Sequence, residues 1–180
     1  MINTLTVYLA TRILVTIALL LPAVPALAQS PAPETCSIPA APATTPSSEF
    51  TILGDGSSIR HEVTELEWQR CSIGQSWDGA TCQGSPTSHD WQMALDTAAS
   101  AGGDWRLPNI QELRSIVEHC RRSPAINRQA FPNTPAIDFW SASPVARDAA
   151  YVWRGGFNFG SDKQSRKTRG GGVRLVRSVQ

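Results

Sequence analysis

The spacing of apolar residues changes several times along this chain, and each spacing predicts a different element. Residues 13–21 form an apolar run broken only by Thr16, and they follow Arg12. Pro22 then interrupts the run, and Ala26-Leu27-Ala28 offers the small side chains that a signal peptidase accepts. Residues 1–28 therefore read as a secretory signal. The run is shorter than the ~20 residues a membrane helix needs, so cleavage is expected, with no stable membrane span left behind. Residues 29–49 are rich in Pro, Ala, Ser and Thr, can bury little, and read as an extended arm.

From residue 50 onward the pattern is that of a packed domain, expected to span 50–180. Phe50-Thr51-Ile52-Leu53 and Ser58-Ile59-Arg60 flank Gly54-Asp55-Gly56, a hairpin signal. Residues 65–70 alternate, which puts Leu66 and Trp68 on one face of a third strand. Trp91, Ala94, Leu95 and Ala98 then recur at helical spacing, with Thr87 or Ser88 as the expected cap, Asp90 in the first turn and Gly102-Gly103 as the stop. A second helix is predicted from Pro108-Asn109. Asn109 and Glu112 make a capping box there, and Ile110, Leu113, Ile116 and Val117 carry the apolar stripe toward Cys120. Residues 139–143, 151–154, 156–159 and 172–177 are strand candidates. Two helices among short strands predict an α+β domain, with the last strand beside the first ones so that the chain ends are paired.

Composition narrows the function classes. Of 180 residues, 41% are hydrophobic and 17% charged, enough for one core and too few charges for a disordered polyelectrolyte. The near-neutral balance also argues against a uniformly basic nucleic-acid binder, so no nucleic-acid partner is expected. The charge is uneven, however. Residues 29–146 carry seven basic and thirteen acidic side chains, whereas residues 147–180 carry eight basic and two acidic.

Export changes the meaning of the four cysteines. In an oxidising compartment an even set favours disulfides over thiols. Cys71 and Cys82 bracket a short loop and are the natural local pair, which leaves Cys36 with Cys120, a link that would pin the arm to the body. The rival zinc reading lacks paired C-x-x-C knuckles. No metal and no cofactor are expected.

Several blocks then carry a family resemblance. They are Trp68-Gln69-Arg70-Cys71 with Gly74 to Gly79 and Cys82; Trp105-Arg106-Leu107-Pro108-Asn109 with Glu112 to Val117; Phe131-Pro132-Asn133-Thr134; Phe139 to Ser143; and Val173 to Arg177. Together they resemble the Lcl C-terminal domain family, named for the end domain of a collagen-like bacterial adhesin. The resemblance implies a C-type-lectin-like fold similar to that of the formylglycine-generating enzyme, with two helices packed on small twisted antiparallel sheets. It implies an exported, periplasmic or surface recognition module rather than an established chemistry. Relatives often have a Tyr- and Asn-rich segment before the last strand, where this chain has Asp162 to Arg169. That departure implies a more acidic ligand.

The candidate site follows from that segment. Clustered cations raise the local potential and attract polyanions, and Arg grips sulfate or carboxylate bidentately. Arg154, Lys163, Arg166, Lys167 and Arg169 are the expected contacts for an acidic polysaccharide or another surface polyanion, with Trp153 and Phe157 as aromatic platforms. The competing reading is a solvated hairpin or loop whose charges balance the acidic body. Trp68, Trp91 and Trp105 are expected in the core, while Trp77 sits in the short disulfide loop. An enzyme reading would need a constellation. His61, His89 and His119 are scattered, no nucleophile or zinc motif is present, and only a spatial meeting of Asp90, Asp104, Glu112 or Asp138 would supply a carboxylate pair. A structural subunit of a surface assembly is the third class. A binding module that catalyses nothing is the expectation.

Overall fold

The computed structural model describes residues 36–38 and 40–179. The expected signal at residues 1–28 and the first part of the arm lie outside the described residues.

The N-terminal sheet forms as the hydrophobic pattern predicts. Strands β1 (Phe50–Leu53) and β2 (Ser58–His61) pair antiparallel around a turn in which Gly54 and Gly56 hold positive φ (+52° and +88°), where a side chain would be strained. β3 (Leu66–Gln69) pairs with β2, and β9 (Val176–Ser178) joins the far side of β3, giving the order β1-β2-β3-β9. The C-terminal strand thus closes on the strands that open the domain. Its register sets Trp68 between Ile59 and Val176, and all three are buried.

A two-stranded ribbon, β4 (Ser76–Trp77) and β5 (Cys82–Gln83), occupies the predicted disulfide loop. Helix α1 (Trp91–Ser100) follows. Its N-cap is Asp90, whose carboxylate accepts from the Met93 N–H, so the cap lies later than the expected Thr87 or Ser88. Helix α2 (Ile110–Ser115) carries the capping box between Asn109 and Glu112. It stops sooner than its apolar stripe suggests, because Val117 leaves the helix for a bridge with Ile126.

The second principal sheet is β6 (Asp138–Val145), β7 (Asp148–Gly156) and β8 (Ser161–Arg166), in that order. Its two faces serve two cores. Phe139 packs with Leu113 of α2, Ile116, Phe131 and Phe157, whereas Trp140 and Val152 pack with Ala94 and Ala98 of α1, Leu107, Val173 and Leu175. The described residues are therefore α+β, with two short α-helices and small antiparallel sheets. The segment of residues 161–166, which is not among the strand candidates, is a strand that forms a hairpin with β7. It alternates as an edge strand, with only Ser165 buried.

Both disulfides form as paired by the sequence, Cys71–Cys82 with Cα atoms 5.4 Å apart and Cys36–Cys120 at 5.1 Å. The arm does more than hang from Cys36. Ser37 and Ile38 donate backbone N–H groups to the Cys120 carbonyl. Buried Glu118 accepts from the Thr44 and Thr45 N–H groups at 2.8–3.1 Å, from both threonine hydroxyls and from the Cys120 N–H. Burial alone would raise the Glu118 pKa. These hydrogen bonds outweigh it and hold the carboxyl below its ordinary value. Asn127 adds a bond from its amide to the Thr45 carbonyl. The packed body thus includes residues upstream of Phe50.

Candidate functional site

Lys163 and Arg166 of the basic segment lie on β8, where strand alternation divides the side chains, and Lys167 and Arg169 follow in the turn after it. Lys163 and Ser165 stand on the face of Arg154 and Val152, whereas Gln164 and Arg166 stand on the face of Trp153 and Tyr151. Because β8 is the sheet edge, residues from both its faces reach one polar cleft of about 280 Å³. Arg154, Lys163, Arg166, Arg169 and Asp138 line it, with Tyr151, Gln164 and Ser165. Four cations and one carboxylate meet there.

Their states differ. Lys163, Arg166 and Arg169 are exposed. Lys163 reaches Asp138 at 2.6 Å, and Arg166 donates to the Tyr151 hydroxyl at 3.0 Å. Arg154 is only 4% exposed and forms the inner wall. It donates to the Gly170 carbonyl at 2.8 Å and to Ser165 Oγ at 3.2 Å, and it lies 4.2 Å over the Trp140 ring. Burial pushes its guanidinium pKa down; Asp138 opposes that shift and Arg169 adds to it. Gly171 makes this packing feasible, since a Cβ there would collide with Arg154 Nη2.

Three expected contacts are not part of the cleft. Lys167 lies with its ammonium 4.3 Å over the Trp91 ring, a contact that ties the turn after β8 to α1. Trp153 is partly exposed and pairs with Gln164 on the sheet face opposite Arg154. Phe157 is a correction: it is fully buried, edge-to-face on Phe139 at 5.2 Å, and is a core side chain rather than a platform. Its closeness to the basic segment is one of sequence only.

Asp138, Gln164 and Ser165 enter the cleft although the sequence reading did not place them there, and Tyr151, an aromatic near the basic segment in sequence, enters it too. Strand register was the missing information. Asp138 opposes Gly156, two residues from Arg154, and so falls on the arginine's face.

The carboxylates considered for acid–base chemistry have other partners. Asp90 caps α1. Glu112 accepts two bonds from Arg106, at 2.7 and 2.8 Å, and one from the Asn109 N–H. Burial raises its pKa, but these donors win and leave it lowered. Asp138 serves Lys163 and the cleft. The histidines are separate as well: His61 stacks on Phe50, His89 bridges Gly171, and His119 is exposed. Among the described residues, no group of three or more His, Cys, Asp or Glu side chains could hold a metal ion. No helix among them is long and apolar enough to cross a membrane.

A disulfide-linked α+β domain with a cationic cleft at a sheet edge is the class these features define. The model of the Lcl C-terminal domain family matches residues 57–177, and the chain belongs to that family. No match is found among curated proteins.

Proposed function

We propose that this protein is an exported, C-type-lectin-like recognition module that binds an acidic polysaccharide or another surface polyanion in the cleft at β8, and that it acts by binding rather than by catalysis. The observation that carries this reading is the meeting of Arg154, Lys163, Arg166 and Arg169 around a single carboxylate, Asp138. Arg154 is anchored from behind by carbonyls and an indole, so it contributes positive potential without freedom to turn away. The three outer cations keep solvent-facing donors that suit sulfate or carboxylate oxygens. The two disulfides support export, since such links persist in oxidising compartments.

The test is retention on dextran sulfate beside unmodified dextran. Exposed charges are screened within ~8 Å at physiological ionic strength. Binding to the sulfated matrix should therefore weaken steeply as salt rises, and should vanish in the variant combining Lys163→Ser, Arg166→Ser and Arg169→Ser. Equal retention on both matrices, or a triple variant that still binds, refutes the reading.

A further inference from the structure

A second cleft, of about 330 Å³, lies away from the cationic one and has the opposite character. Ser57, Ser58, Gln69, Ser72, Gln75, Trp77 and Trp105 line it, with Ile73, Gly74 and the disulfide-bonded Cys71. No ionisable side chain is among them. Its size falls at the lower end of the ~300–1,000 Å³ common for small-molecule sites.

Both indoles are held in place. The Arg70 guanidinium lies 4.4 Å from the Trp77 ring centroid and is itself fixed by the carbonyls of Gly56, Gln129 and Ala130. Trp77 Nε1 donates to the Asp55 carbonyl at 3.1 Å, and the backbone at Gly56 approaches so closely that a Cβ there would sit 3.1 Å from the ring. Trp105 has the Arg177 guanidinium at 4.5 Å, and Arg177 is in turn locked by two bonds to Glu67. The rings thus enter the cleft wall already oriented, so little conformational freedom is lost on binding.

The polar groups are unequally committed. Gln75 spends its amide on Ser72, Gly84 and Asn133, and Ser57 donates to Asp55. The side-chain amide of Gln69 makes no hydrogen bond among the described residues, and it stands half-exposed at the end of β3.

We propose that this cleft is a subsite for an uncharged pyranose ring. Such a ring combines an apolar C–H face, which suits the electron-rich face of an indole, with hydroxyls that the free Gln69 amide can both donate to and accept from. A lining without charge offers nothing to a sulfate, a carboxylate or an amine. The proposal stands independently of the polyanion reading.

The test uses saturation-transfer NMR on the full chain with two probes, cellotetraose and the N-acetylglucosamine tetramer. At least one should bind saturably and equally well at low and high salt. Gln69→Ala should weaken that binding by about fivefold, the effect of one neutral hydrogen bond, and Trp77→Ala by about tenfold or more. Near-ultraviolet circular dichroism checks that each variant keeps its fold, and Gln69→Ala carries the test alone should Trp77→Ala unfold. The combined Lys163, Arg166 and Arg169 variant should bind the neutral probe as the parent does, which separates this outcome from that of the β8 cleft. Absence of saturable binding for both probes, unchanged binding in Gln69→Ala, or loss of binding in the cationic triple variant overturns the proposal.

Discussion

Arg174 and the cations of β8 lie close in sequence but occupy opposite environments. Arg174 is fully buried and has no carboxylate partner among the described residues. It donates to the carbonyls of Gln69 and Arg70 and to the hydroxyls of Ser72 and Thr134, and it lies between the rings of Phe131 and Phe139 at 4.8 and 5.7 Å. Burial, helped by the neighbouring Arg70 charge, pushes its pKa down to about 9, which still leaves it protonated at neutral pH. Lys163, Arg166 and Arg169 instead face water across a cleft. A buried charge whose two Nη groups are held by neutral acceptors ties the structure together, whereas exposed like charges add almost nothing to stability and stay available to a ligand. Counting basic residues does not distinguish the two roles. Burial and hydrogen-bond satisfaction do.

The sharpest way to break this comparison is Arg174→Met. It leaves two buried carbonyls and two hydroxyls without their donor, and should cost about 3 kcal/mol of unfolding free energy, measured by chemical denaturation. A loss below about 0.5 kcal/mol would show that Arg174 is not the strut described here.

Glu118 is the anionic counterpart of Arg174, a buried carboxylate satisfied by N–H and hydroxyl donors of the arm. Glu118→Gln should cost about 1–2 kcal/mol. The pH dependence has a definite sign. Because the folded carboxyl titrates below its ordinary value, its contribution is complete above the ordinary carboxylate range and is lost as pH falls through the depressed folded value. Denaturation curves taken from pH 7 down to about pH 3 should therefore fall more steeply for the parent than for Glu118→Gln. Parallel curves would assign the acid sensitivity to other groups.

At the exposed end of the comparison, Lys163→Ser, Arg166→Ser and Arg169→Ser should each change stability by less than about 0.5 kcal/mol, while together they abolish salt-sensitive retention on dextran sulfate. The smallest and most specific effect belongs to Asp138→Asn. Removing the one carboxylate among the described residues that line the cleft should tighten polyanion binding a few-fold. Weaker binding would mean that Asp138 positions Lys163 for the ligand rather than opposing it.

Much of the fold could be read from the pattern of residues. The β1–β2 hairpin, β3, the Asn109–Glu112 capping box and both cysteine pairings depend on neighbours in sequence, or on an even cysteine set with one obvious local pair. The misreadings have a common cause. β8 has no apolar residue, because an edge strand over a polar cleft buries little, so it did not stand out as a strand. α2 ends early because Val117 pairs with Ile126 in a β-bridge that no local sequence pattern announces. Phe157 looked available because chain proximity to Lys163 says nothing about which side of a hairpin faces the core.

The candidate site was legible as a list of charges and not as a place. Arg154, Lys163, Arg166 and Arg169 were identifiable from composition alone, since local clustering of one sign is a property of the sequence. Their gathering around Asp138, the removal of Lys167 to Trp91 and the burial of Arg154 depend on the register of three strands, and a one-residue slip would exchange every side chain between the two faces. Family, disulfide framework and element order were therefore written locally along the chain. Which cations face a ligand was decided only by tertiary packing, because exposure is set by what lies across the sheet and not by what lies next in sequence.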